Sequence, residues 1–147
     1  MGVRIRVRVE STSTGRSATT SALVSTGFES GRPTLRLPMG LAREIGLSEE
    51  DLGEAETAEF VVGDGRLAHF ALLRDAFRVS VITEDRVEGP VLADAIVLGG
   101  PGELVLSDAL IQLLKVVPVL PHDGLWRFVD EPPDRPRISV RRRIWGL

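Results

Sequence analysis

A mainly β chain, closed into an antiparallel barrel with one or two short helices, is what this sequence predicts, and three observations carry the prediction. Val3-Arg4-Ile5-Arg6-Val7-Arg8-Val9 alternates apolar and charged residues strictly, the period of a strand with one buried face. Short runs rich in apolar residues recur along the chain, divided by turn residues such as Gly63-Asp64-Gly65 and His122-Asp123-Gly124. Helical spacing is confined to two short stretches, which favours a barrel over alternating βαβ units.

Taken in order, the strand at 3–9 is followed by a Ser/Thr-rich turn over 11–20 and a second strand, Thr19 to Val24, which together make a hairpin. The chain then turns at Thr26-Gly27. Leu35-Arg36-Leu37-Pro38 is a short extended piece, and Pro38 opens a helix over about Met39 to Ile45 that stops at Gly46. Residues 48–56 read as an exposed acidic connection. Ala58 to Val62 and Leu67 to Leu73 flank the Gly63-Asp64-Gly65 turn as a hairpin. Phe77 to Ile82 and Val91 to Leu98 are strands around the charged turn Thr83 to Pro90. After the Gly99-Gly100-Pro101-Gly102 loop, Leu104-Val105-Leu106 is a strand, and Ser107 or Asp108 caps a helix running through Leu114. Val116 to Leu120 and Leu125 to Val129 form a last hairpin. Residues 1–130 are thus one barrel domain, and 131–147 a Pro/Arg-rich C-terminal tail.

The 147 residues, 43% hydrophobic and 27% charged, suit one globular domain with a core of its own. No apolar run approaches the roughly 18–20 residues of a membrane span, and no apolar signal core follows the basic N-terminus, so a cytoplasmic protein with no membrane partner is expected. Without cysteine there is no disulfide framework, thiolate nucleophile or Cys-based zinc site. Lys115 is the only lysine, so 17 of the 18 basic residues are arginine. Asn is absent and Gln112 is the only glutamine. Scarce amides suit a thermophile; a GC-rich genome explains the arginines equally well.

The net charge of −3 is unevenly spread: residues 1–10 carry +2 and 135–147 carry +5, which leaves −10 for 11–134. An acidic body with basic ends argues against a nucleic-acid partner that needs one basic face. The tail's five arginines, mixed with Ile138, Val140 and Trp145, suit a strand docking on the protein better than an arm that grips phosphates.

The residues that carry chemistry centre on Ala22-Leu23-Val24-Ser25-Thr26-Gly27-Phe28, an apolar strand running into a tight turn. With Leu37-Pro38 to Leu47 after it, Val62-Gly63-Asp64-Gly65 further on, and Leu104-Val105-Leu106-Ser107-Asp108-Ala109-Leu110 beyond that, the chain resembles the retropepsin-like aspartic proteases, in particular their single-domain prokaryotic members, over about residues 1–130. The resemblance implies a barrel of the retropepsin (acid protease) type and a C2 homodimer in which each subunit supplies half a site. It implies that Ser25 stands where the catalytic aspartate belongs, that Thr26 bonds across the two-fold axis, and that Gly27 shapes the turn. It also places Gly63, Asp64 and Gly65 in a substrate-binding flap. In such a site two carboxylates share a proton and activate water.

Ser25 departs from this pattern, and symmetry removes both carboxylates at once. A serine hydroxyl is not ionised near neutral pH and cannot act as the base. A second departure puts Ser107 or Asp108 where the family has glycine. The expectation is a retropepsin-like homologue without peptidase activity as written, with an inter-subunit groove that takes extended peptides by strand addition. One alternative is an aspartic endopeptidase, with Ser25 an inactivating substitution or Asp108 supplying the carboxylate. Another is a swapped-hairpin DNA-binding regulator, suggested by Leu35 to Leu47 and then Phe60 to Gly65. A Ser25–His hydrolase would need His69 or His122, and no spacing ties either to Ser25. No metal or other cofactor is expected, because the two histidines and scattered acids lack ligand spacing.

Overall fold

The computed structural model describes residues 2–61 and 65–146, apart from the side chains of Ala58, Phe60, Val61, Leu67, Ala68 and His69. The strands are β1 (Arg4–Ser11), β2 (Ser17–Val24), β3 (Thr34–Pro38), β4 (Glu56–Val61), β5 (Leu67–Ile82), β6 (Val87–Leu98), β7 (Leu104–Leu106), β8 (Val116–Leu120), β9 (Leu125–Phe128) and β10 (Arg137–Ile138). Three short helices interrupt them: α1 (Met39–Glu44), α2 (Glu49–Gly53) and α3 (Asp108–Leu113).

The fold is a closed, mainly β barrel, as the sequence predicts. Strands follow one another around it in the order β1-β2-β7-β3-β6-β5, and β1 closes the ring against β5 with Val7 opposite Val81 and Val9 opposite Val79. Closure leaves these six strands without a free edge; β4 extends the sheet beyond β5. Most pairings are antiparallel, but β2 lies parallel to β7 and β3 parallel to β6. Parallel neighbours cannot be joined by a tight turn, so the chain must travel far before each of these pairs forms.

Alternation in β1 does what its period dictates. Ile5, Val7 and Val9 are buried in the barrel, where they meet Leu35, Leu37, Phe77, Val79, Leu104 and Leu106. Arg6 and Arg8 point to solvent. Each fully buried aliphatic side chain here contributes roughly 1.5–3 kcal/mol.

α1 buries Leu41 and Ala42 and ends at Ile45, after which Gly46 takes a φ of +88° that side chains resist. α2 lies within the segment 48–56 that reads as a connection. Its signal is Ser48-x-x-Asp51: the Ser48 hydroxyl accepts from Asp51 N–H while the Asp51 carboxylate accepts from Ser48 N–H.

The two strand segments expected at 67–73 and 77–82 are one strand, β5, bent where its register with β6 shifts between Leu73 and Phe77. Asp75 sits at the bend with a φ of +48°, a left-handed conformation uncommon outside glycine. Before the bend, β5 pairs with β4 as an arm; after it, β5 belongs to the barrel wall.

The Pro/Arg-rich tail lies on the barrel. β10 adds to β9, Val140 N–H donates to the Arg4 carbonyl, and Arg143 N–H donates to Ser21 Oγ. Trp145 is buried, exchanges backbone hydrogen bonds with Gly102, and donates from Nε1 to Thr20 Oγ1 at 3.2 Å.

Candidate functional site

Ser25 follows the last residue of β2, where that strand runs parallel to β7 with Leu23 opposite Val105 and Val24 opposite Leu106. The chain then reverses in a turn closed by Phe28 N–H to the Ser25 carbonyl at 3.2 Å. Ser25 is half-buried, and Thr26 and Gly27 are exposed. Among the described residues, the Ser25 hydroxyl has no side-chain hydrogen-bond partner, so nothing here activates it as a nucleophile. His122 stands in the turn between β8 and β9, and the His69 side chain lies outside the described residues.

Neither the turn nor its surroundings force a glycine at position 27. Its φ is not in the left-handed region. A Cβ added to it would meet Ser25 Oγ at 4.0 Å, an ordinary contact.

Ser107 and Asp108 divide the work that the sequence leaves between them. Ser107 is the N-cap of α3: its Oγ accepts from Leu110 N–H and also from Thr34 N–H, at 3.3 and 3.0 Å. Its own N–H donates to the Thr34 carbonyl. The residue is wholly buried, so a glycine in its place would leave the Thr34 donor without that acceptor. Asp108 opens the first turn of the helix and clamps the site loop. Its N–H donates to the Phe28 carbonyl at 2.9 Å, and its Oδ1 accepts from Ser30 N–H at 3.0 Å and Ala109 N–H at 2.7 Å. Ser25, Thr26, Gly27 and Asp108 are thus brought to one place, with Asp108 bonded to residues 28 and 30 and not to Ser25.

Arg32, at the exit of the same loop, links it to the bend of β5. Its guanidinium meets the Asp94 carboxylate, which is buried in β6, and also Asp75 Oδ1. Asp94 Oδ1 accepts from Asp75 N–H at 2.8 Å. Burial pushes the Asp94 carboxyl up, but Arg32 and the Asp75 N–H outweigh it and hold the group below its usual range. On the other side of the bend, Thr12 Oγ1 donates to the carbonyls of Asp75 and Ala76. The arm's base is therefore fixed to the site loop and to the β1–β2 turn. Sequence reading missed this cluster; its signal is the lone acid in Val91-Leu92-Ala93-Asp94-Ala95-Ile96-Val97, since an acid inside an apolar strand needs a partner.

Gly63 and Asp64 of the expected flap turn lie outside the described residues; Gly65 is exposed with a φ of +84°. Among the described residues no group of three or more His, Asp or Glu side chains is placed to hold a metal ion. No helix there is long and apolar enough to cross a membrane. Compared with known proteins, the chain matches no family model and no curated protein.

Proposed function

We propose that the chain is a retropepsin-like homologue without peptidase activity as it stands. Two copies pair about a two-fold axis and hold an extended peptide between their Ser25 loops and their β4–β5 arms. The observation that carries this reading is the Ser25 turn at the end of β2, beside β7 and clamped from below by Asp108 at the start of α3. A loop held at Phe28 and Ser30 by Asp108 suits a group that must be presented accurately at residue 25. Serine at that position supplies no base, which separates the scaffold from the chemistry.

The bonds made by Asp108 also bear on the endopeptidase alternative. Its Oδ1 already accepts from two backbone N–H groups, which supports a holding role over proton transfer. The deciding experiment is cleavage of a mixed peptide library, read by mass spectrometry from pH 3 to 8, by this protein and by its Ser25→Asp variant. Cleavage by the variant alone supports the reading. Silence in both, with both folded and dimeric by sedimentation, removes the protease scaffold from consideration.

A further inference from the structure

The two basic ends of the chain, far apart in sequence, form one face in the folded protein. The tail runs across the outside of β1 and β2: Arg4 N–H donates to Ser139 Oγ, Val140 N–H to the Arg4 carbonyl, and Arg143 N–H to the hydroxyl of Ser21, which is the residue opposite Arg6 in the β1–β2 register. Arg6 and Arg8 project outward from β1, and Arg141, Arg142 and Arg143 are exposed beside them.

Much of this charge is uncompensated. Arg4 is paired with Glu103, and Arg8 and Arg78 share Glu10. Among the described residues Arg6, Arg141, Arg142 and Arg143 have no acidic partner. Ser17 and Thr19, on the same outward side of β2, bring hydroxyls and no negative charge. The unpaired arginines of the two ends therefore stand on one face, while Arg137 of the tail is held by Asp85 and Glu131, and Glu84 and Asp85 border the same hollow as Arg6. Separate in sequence, the basic ends are joined by the docked tail, which gives the acidic body one basic face.

We propose that this face, with Arg6, Arg141, Arg142 and Arg143 at its centre, binds the phosphate backbone of a nucleic acid. Arg6 projects from β1 beside the three consecutive arginines of the tail, a cluster of guanidinium groups that suits a polyanion. Guanidinium groups also match phosphate oxygens in pairs. Trp145 is buried under Arg143, whose Cζ lies 3.6 Å from the ring centroid. The face thus offers no stacking platform from that ring, and binding is by charge without sequence preference.

The test is fluorescence anisotropy of a labelled single-stranded oligonucleotide and of its duplex, with the full chain, between 50 and 200 mM salt. The expected result is binding at low salt whose log affinity falls against log salt with a slope of about −3 to −4, as four phosphate contacts require. Arg6→Glu and Arg142→Glu, both on exposed side chains, should each weaken binding at least about tenfold. Arg74→Glu, which makes the same charge change beyond the far end of β1, should change it less than about twofold. Equal losses in all three variants would reduce the effect to net charge and overturn the proposal. So would no binding at 50 mM salt, or competition by polyglutamate as effective per charge as by the oligonucleotide.

Discussion

Arg32 grips Asp94 through two contacts, Nε to Oδ2 at 2.8 Å and Nη2 to Oδ1 at 3.2 Å, and the same Nη2 lies 2.7 Å from Asp75 Oδ1. One guanidinium thereby joins the exit of the Ser25 loop to the barrel wall and to the bend from which the β4–β5 arm departs.

Arg32→Ala should destabilise the protein, by less than the breaking of a fully buried pair does, because the arginine side chain is itself 52% exposed. Urea denaturation checks it, and adding Asp94→Asn should recover part of the loss. The pH dependence follows from the sign of the shift. Asp94 is held low in the folded state, so its stabilisation is complete above the unfolded carboxylate value of about 3.9 and fades as pH falls through the folded value. In Arg32→Ala burial acts against a weakened opposition, the Asp94 carboxyl moves up toward its unfolded value, and the acid-linked loss of stability should be smaller than in the parent.

Ser107→Ala should cost about 1–3 kcal/mol, since it removes a cap and leaves the buried Thr34 N–H without that acceptor. Asp108→Ala should cost about 1 kcal/mol overall. Its larger effect should be faster hydrogen exchange at Ser30, whose N–H it accepts. Exchange at Ser30 unchanged from the parent would show that Asp108 does not hold the loop.

One tryptophan lies under the tail and the other belongs to it, with Arg137 over the Trp126 ring and Arg143 over the Trp145 ring, so intrinsic fluorescence reports on tail docking. Trp145→Ala should destabilise the protein by about 3 kcal/mol. Tail contacts should also be acid-sensitive. The Arg137 hydrogen bonds lower the Asp85 carboxyl to about 2, so this pair persists above about pH 4 and is lost as pH falls toward 2. A fluorescence transition in that window is expected in the parent and should be smaller in Asp85→Ala, where Glu131 alone holds Arg137.

Ser25→Asp places two carboxylates across the proposed two-fold axis. Close carboxylates cannot both ionise freely, so cleavage by this variant should be strongest on the acidic side of neutrality. A pH–rate profile flat from 4 to 8 would contradict a shared proton.

Much of the barrel was legible in the sequence because local pattern determines it. The alternation of Val3 to Val9, the turn after Val24, Pro38 before α1 and the Leu104-Val105-Leu106 strand before α3 all rest on neighbours in sequence. What escaped depends on partners far away. The bend in β5 gathers residues from four segments at Thr12, Arg32, Asp75 and Asp94. The parallel pairings of β2 with β7 and β3 with β6 leave no periodic trace. The tail's anchoring at Arg4 and Ser21 turns on hydrogen bonds that composition cannot announce. At the candidate site, the turn after β2 was legible in Ser25-Thr26-Gly27. The division of labour between Ser107 and Asp108 was not, because it depends on which hydroxyl meets Thr34.

The clamp between Ser30 and Asp108 joins residues 78 positions apart, and the parallel pairing of β2 with β7 lies immediately beside it. Contacts of such long loop closure form late, after nearer ones have lowered the entropy of the chain. The hairpin of β1 and β2 closes a short loop, whereas its Ser25 end is completed only when α3 is in place. Pulsed hydrogen exchange during refolding should therefore find the Ser30 N–H protected later than those of the hairpin, although Ser30 lies near the beginning of the chain.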